Sequence, residues 1–60
     1  MSPEEYADII YWKYAEDEEL SNDQVIRCCN ITLDLMIKEA DELIRFYWTE
    51  VKSIINKRAR

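Results

Sequence analysis

The chain has 60 residues, 48% of them apolar and 35% charged, and its 13 acidic and 8 basic side chains leave a net charge of −5. That balance belongs to a folded chain rather than a disordered one, and the length allows a single domain spanning residues 1–60. The sequence has no histidine, no glycine and only the adjacent cysteines Cys28 and Cys29, which excludes histidine acid–base or nucleophile pairs, glycine-rich phosphate loops, the usual zinc spacings and a disulfide joining distant segments.

A domain this small buries only ~60% of the surface its unfolded chain exposes. Such scaffolds usually add disulfides, a metal or a second subunit. The first two being absent from the sequence, binding to another chain is the expected source of both stability and function. No enzyme activity, cofactor or metal is expected. No apolar run approaches the ~18 residues of a membrane helix. The start, Met1-Ser2-Pro3-Glu4-Glu5, is acidic where a signal peptide would be basic. Two thiols without an export signal point to a reducing compartment, so a cytoplasmic protein without membrane association is expected.

Ser2-Pro3-Glu4-Glu5 writes the first helix start: a capping serine, proline at the first helical position and a glutamate reaching back from the third. The first helix is expected over about residues 3–19. Ala7, Ile10 and Tyr14, flanked by Tyr6 and Tyr11, form its core-facing arc. Trp12 falls on the opposite side, among Glu5, Asp8, Glu16 and Glu19. A tryptophan ringed by carboxylates is a candidate interface anchor; packing against a neighbouring subunit or helix would explain it equally well.

The run Glu16-Asp17-Glu18-Glu19 follows, at a helix end where negative charge is disfavoured. A solvated helix end is the plain explanation. A patch that steers the chain to a basic protein surface is the functional one, and a calcium site lacks both the ligand spacing and the glycine of an EF-hand loop.

Ser21-Asn22-Asp23-Gln24 repeats the capping box, with Leu20 and Val25 placed to staple across it. After this start no proline or glycine interrupts the chain. Ile26, Cys29, Leu33, Met36, Ala40, Leu43 and Tyr47 step by three and four in strict alternation, and after Tyr47 the stripe slips by one residue to Val51 and continues at Ile54. The phase kept through Tyr47 predicts one long helix over about residues 22–57. A break near residues 39–41 would instead give a monomeric three-helix bundle, and a break near Asn30–Thr32 is a further alternative.

A first helix of ~25 Å cannot cover a second of ~50 Å. The all-α hairpin is therefore expected to dimerise into a helical bundle through Ala40, Leu43, Ile44, Tyr47, Val51 and Ile54. Residues 1–23 are strongly acidic and residues 24–60 slightly basic, so an antiparallel pair would bring one chain's basic tail near the other's acidic turn. Phe46 points off the main stripe toward Cys28, Ile31 and Leu35, which makes it either part of a broad core or a second docking residue. Cys29 lies on the stripe as a small core residue, while Cys28 faces the minor one.

The expected function is that of a small acidic protein-interaction module, an inhibitor or adaptor of the kind carried by phages or mobile elements. It would occupy a partner protein's basic surface, with Glu16, Asp17, Glu18 and Glu19 steering and Trp12 and Phe46 anchoring. One alternative is a structural or assembly subunit that docks on a larger complex through the long helix. Another is an RNA- or DNA-binding hairpin using the basic C-terminal end. The net charge and the mixed signs of the second helix's outer face argue against nucleic acid.

Overall fold

The computed structural model describes residues 1–17 and 19–58. They form three helices, α1 (Pro3–Ala15), α2 (Asn22–Glu39) and α3 (Glu42–Lys57), and no strand occurs among them. The fold is all-α, and its long dimension is 35 Å against 19 Å across.

Both predicted caps are present. The Ser2 hydroxyl accepts the Glu5 N–H at 3.2 Å, and the Ser2 N–H donates to Glu5 Oε1 at 3.1 Å. At Ser21 the reciprocal bonds with Gln24 measure 3.3 and 2.8 Å. Each box satisfies two N–H groups that a helix start would otherwise leave to water. Val25 is buried and Leu20 packs on the core, as the staple requires.

The first helix ends sooner than predicted, at Ala15 with Glu16 as its C-cap. Four successive carboxylates oppose the helix dipole, and a competing turn is available to the backbone. Asp17 Oδ1 accepts the Glu19 N–H at 3.0 Å, and the Asp17 carbonyl accepts the Leu20 N–H at 3.1 Å. Short acidic side chains favour such local bonds over continued helix.

The long helix is not formed; the chain breaks at Ala40 and Asp41, which corrects the hairpin reading in favour of the alternative three-helix arrangement with a break near residues 39–41. Ala40 (φ −83°, ψ 151°) and Asp41 (φ −64°, ψ 161°) are both extended. The break frees roughly four N–H groups at the start of α3, worth together about 2–6 kcal/mol of net hydrogen bonding. In return α3 folds back on both other helices. Val51 and Ile55 become fully buried, which contributes about 3–6 kcal/mol, and Tyr47, Trp48 and Ile54 pack against the same core. The two terms are of similar size, and the added packing of Tyr47, Trp48 and Ile54 tips the balance toward the bend. Helical phase alone could not show this, because a two-residue joint leaves the apolar spacing undisturbed.

The core comprises Ala7 and Ile10 of α1, Val25, Ile26, Cys29 and Leu33 of α2, and Val51 and Ile55 of α3. Polar contacts at its rim set the register. Asn30 and Asn56 exchange side-chain bonds of 2.8 and 3.0 Å, and Lys52 pairs with Asp34, which fixes α2 antiparallel to α3. Tyr14 and Thr32 share a hydroxyl bond of 2.6 Å between α1 and α2. The Tyr47 hydroxyl donates to the Met1 carbonyl at 3.0 Å, tying the start of α3 to the start of the chain. Burial, with Tyr6, Glu5 and Glu4 nearby, pushes the Tyr47 hydroxyl above its usual ionisation range. No helix among the described residues is long and apolar enough to cross a membrane.

Candidate interaction surfaces

Because the core closes within one chain, the surfaces left for binding are the apolar side chains that it does not cover. Trp12 is 58% exposed on α1, and Ile9, one turn before it, is half exposed. The tryptophan is held from below. Its ring meets Tyr11 edge to face at 5.4 Å, and the Tyr11 hydroxyl donates to Asn22 Oδ1 at 2.6 Å. The Arg58 guanidinium lies 4.7 Å over the Tyr11 ring and pairs with Asp8, while Asn22 Nδ2 donates to the Arg58 carbonyl at 3.3 Å. Residues from α1, from the start of α2 and from the C-cap of α3 thus brace the ring that Trp12 meets.

The carboxylates around Trp12 are not equivalent. Glu16, one turn after it, is exposed, as are Asp17 and Glu19 in the turn. Asp17 is partly committed to closing that turn. Asp8 is engaged by Arg58, and Glu5 by the cap, where the Ser2 backbone N–H and hydroxyl hold its carboxyl below the usual range. Glu18 lies outside the described residues. Asp8 belongs to the ring of carboxylates that the sequence places around Trp12, whereas Tyr11 and Arg58 are not expected there. Nothing in the sequence signals a contact between residues 50 positions apart, and Tyr11 reads as an ordinary core-flanking aromatic.

Phe46 is 76% exposed on the outer side of α3, where Glu42, Arg45, Phe46 and Thr49 line a shallow open depression. It takes no part in the aromatic cluster of Tyr6, Tyr47 and Trp48, whose rings meet edge to face at 4.6 to 6.3 Å. The structure does not unite Phe46 with Trp12. Nor does a common stripe join it to Ile31 and Leu35, since these exposed residues belong to α2 and the helix they were expected to share is broken.

The stripe predicted as a dimer interface is divided. Val51 is buried in the chain's own core, Tyr47 and Ile54 pack against that core, and Ala40 is half-buried at the joint. Only Leu43, at 86% exposure, and Ile44, at 50%, remain open. The length mismatch that called for a second copy does not arise. The basic end likewise meets acids of its own chain, through Asp8–Arg58 and Asp34–Lys52. Arg60 lies outside the described residues.

Cys29 is buried, its thiol 3.8 Å from the Ile10 carbonyl, and burial followed by the neighbouring Cys28 pushes its pKa up to about 11. That is the opposite of what a nucleophile or redox centre requires. No cluster of three or more metal-ligating side chains occurs among the described residues. In comparisons with protein-family models, curated proteins and solved structures, nothing matches the chain.

Proposed function

We propose that this chain is a small protein-binding module, of the inhibitor or adaptor type, that occupies a basic and partly apolar surface on a partner protein. The observation that carries the reading is Trp12: a large aromatic, mostly exposed, mounted on a braced tyrosine and neighboured by exposed carboxylate. A pre-oriented aromatic loses little freedom on binding, so more of its contact energy survives as affinity. Glu16 and Glu19 supply the negative field that speeds encounter with a cationic surface, and Trp12 with Ile9 supplies the desolvated centre. Phe46 lies on a separate helix and serves a second contact rather than the same one. The engagement of Arg58 and Lys52 by the chain's own carboxylates leaves less positive charge for a phosphate backbone.

The test uses lysine- and arginine-rich amphipathic helical peptides as probes, titrated into isotope-labelled protein and followed by nuclear magnetic resonance. The expected response is a shift of the Trp12 indole N–H and of the Glu16 and Glu19 amides, with the Trp48 indole unmoved. Trp12→Ala together with Glu16→Lys and Glu19→Lys should abolish the response while leaving helicity intact. If basic peptides leave Trp12 undisturbed, or perturb the triple variant equally, this surface is not the binding site.

A further inference from the structure

We infer that α3 can leave its own bundle and take the same place in a second copy, giving a helix-swapped dimer in which α2 and α3 run on as one helix. The joint between them carries this inference. It contains neither proline nor glycine, and Lys38-Glu39-Ala40-Asp41-Glu42 contains only residues that a helix accepts. The apolar stripe passes through it in phase, from Met36 to Ala40, Leu43 and Tyr47. Straightening the joint therefore creates no mismatch on either side.

The joint is also the least secured start in the fold. Ser2 and Ser21 each close a full capping box, whereas Asp41 makes no side-chain cap bond. The bent form is held there by the Ala40 N–H on the Ile37 carbonyl at 3.3 Å and by Arg45 Nη2 on the Ala40 carbonyl at 3.2 Å, while the Arg45 N–H bond to the Asp41 carbonyl is already a helical rung that straightening keeps. A continuous helix would replace the first two with its own ladder. Every packing contact that α3 makes with α1 and α2, including Asn30–Asn56 and Asp34–Lys52, can be remade identically by the α3 of another chain.

The exposed side chains name the occupant. Leu43 and Ile44 stand open in the first turn of α3, directly after the joint, and their exposure has no role in the closed bundle. In the swapped dimer two continuous helices cross at the joint about a two-fold axis. The register of Asn30–Asn56 and Asp34–Lys52, carried through the joint, brings Leu43 of one chain level with Leu43 of the other at that axis, so the open residues meet their own copies. This exchange is independent of the Trp12 surface, which lies on α1 and is unchanged by it.

The native ion pair Asp34–Lys52 supplies the test. Equal amounts of unlabelled and nitrogen-15-labelled chain are unfolded together, refolded at high concentration and separated by size. A carbodiimide then couples the Asp34 carboxylate to the Lys52 amine in the dimer fraction. Swapping predicts that roughly half of the coupled peptide pairs combine the two isotopes, because each dimer draws its chains at random. A dimer whose coupled pairs are all of one isotope, or no dimer at millimolar concentration, overturns the proposal.

Glu42→Pro is the second arm. Residue 42 is the first position of α3, where proline is favoured, and Asp41 already has the extended backbone that precedes a proline. Inside a continuous helix the same proline is barred. The variant should keep the closed monomer and lose the dimer by ~100-fold or more. A Glu42→Pro protein that dimerises as well as the native chain would also overturn the exchange.

Discussion

Shortening Ile55 to valine removes one methyl group from a side chain with no exposed surface. Loss of buried volume of that size costs about 0.5–1.5 kcal/mol. Against a total stability of about 3–9 kcal/mol for 60 residues, the loss should lower the melting temperature by about 4–8 °C per kcal/mol. The informative control is Leu43→Ala, which removes more carbon from a side chain that is 86% exposed and should stay within about 0.5 kcal/mol of the parent. Both positions would lie beyond the reach of the first helix if residues 22–57 formed one rod, and both would then respond through a dimer interface. Thermal melts by circular dichroism at micromolar concentration separate the cases. A silent Ile55→Val, or a Leu43→Ala loss equal to or larger than it, would refute the closed three-helix core.

Further consequences follow from the caps, the thiols and the first carboxylates. Ser21→Ala should cost about 1 kcal/mol by removing a formed cap, whereas Asp41→Ala, at a start with no side-chain cap bond, should change urea-unfolding stability by only a few tenths. Under native conditions a thiol reagent should modify half-buried Cys28 and spare Cys29, with mass spectrometry locating the label; equal rates would show that Cys29 is not enclosed. Glu5 is held below its ordinary value of 4.5, so its contribution to the first cap is complete above that pH and lost as pH falls through its lower folded value. Amide shifts at the start of α1 should follow that titration, and Ser2→Ala should remove it.

Much of this architecture can be read from local chemistry. Ser2 and Ser21 announce their helices because a cap is a four-residue event, and Ala7, Ile10, Val25, Ile26, Cys29 and Leu33 reveal themselves by spacing alone. The joint at Ala40–Asp41 is different: no residue there forbids helix, and the bend is chosen by what Val51 and Ile55 bury far along the chain. The expected end of α1 falls about four residues late because Asp17 closes a turn that charge alone does not describe. Trp12 is legible as an outlier on its helix face. The brace beneath it is not, because Asp8, Tyr11 and Arg58 meet only once three helices have packed.

The chain turns two corners without any described residue adopting a positive φ. At the second corner Ala40 and Asp41 are both extended, so it demands no particular amino acid for its backbone shape, and the chain carries no glycine, the residue most often fixed by such a demand. What the fold asks of its sequence is a rhythm of apolar positions and a few caps. Many different spellings satisfy that request. A lineage built this way can rewrite nearly every letter while keeping its shape, so kinship with other chains would survive in its cadence long after it had vanished from its vocabulary.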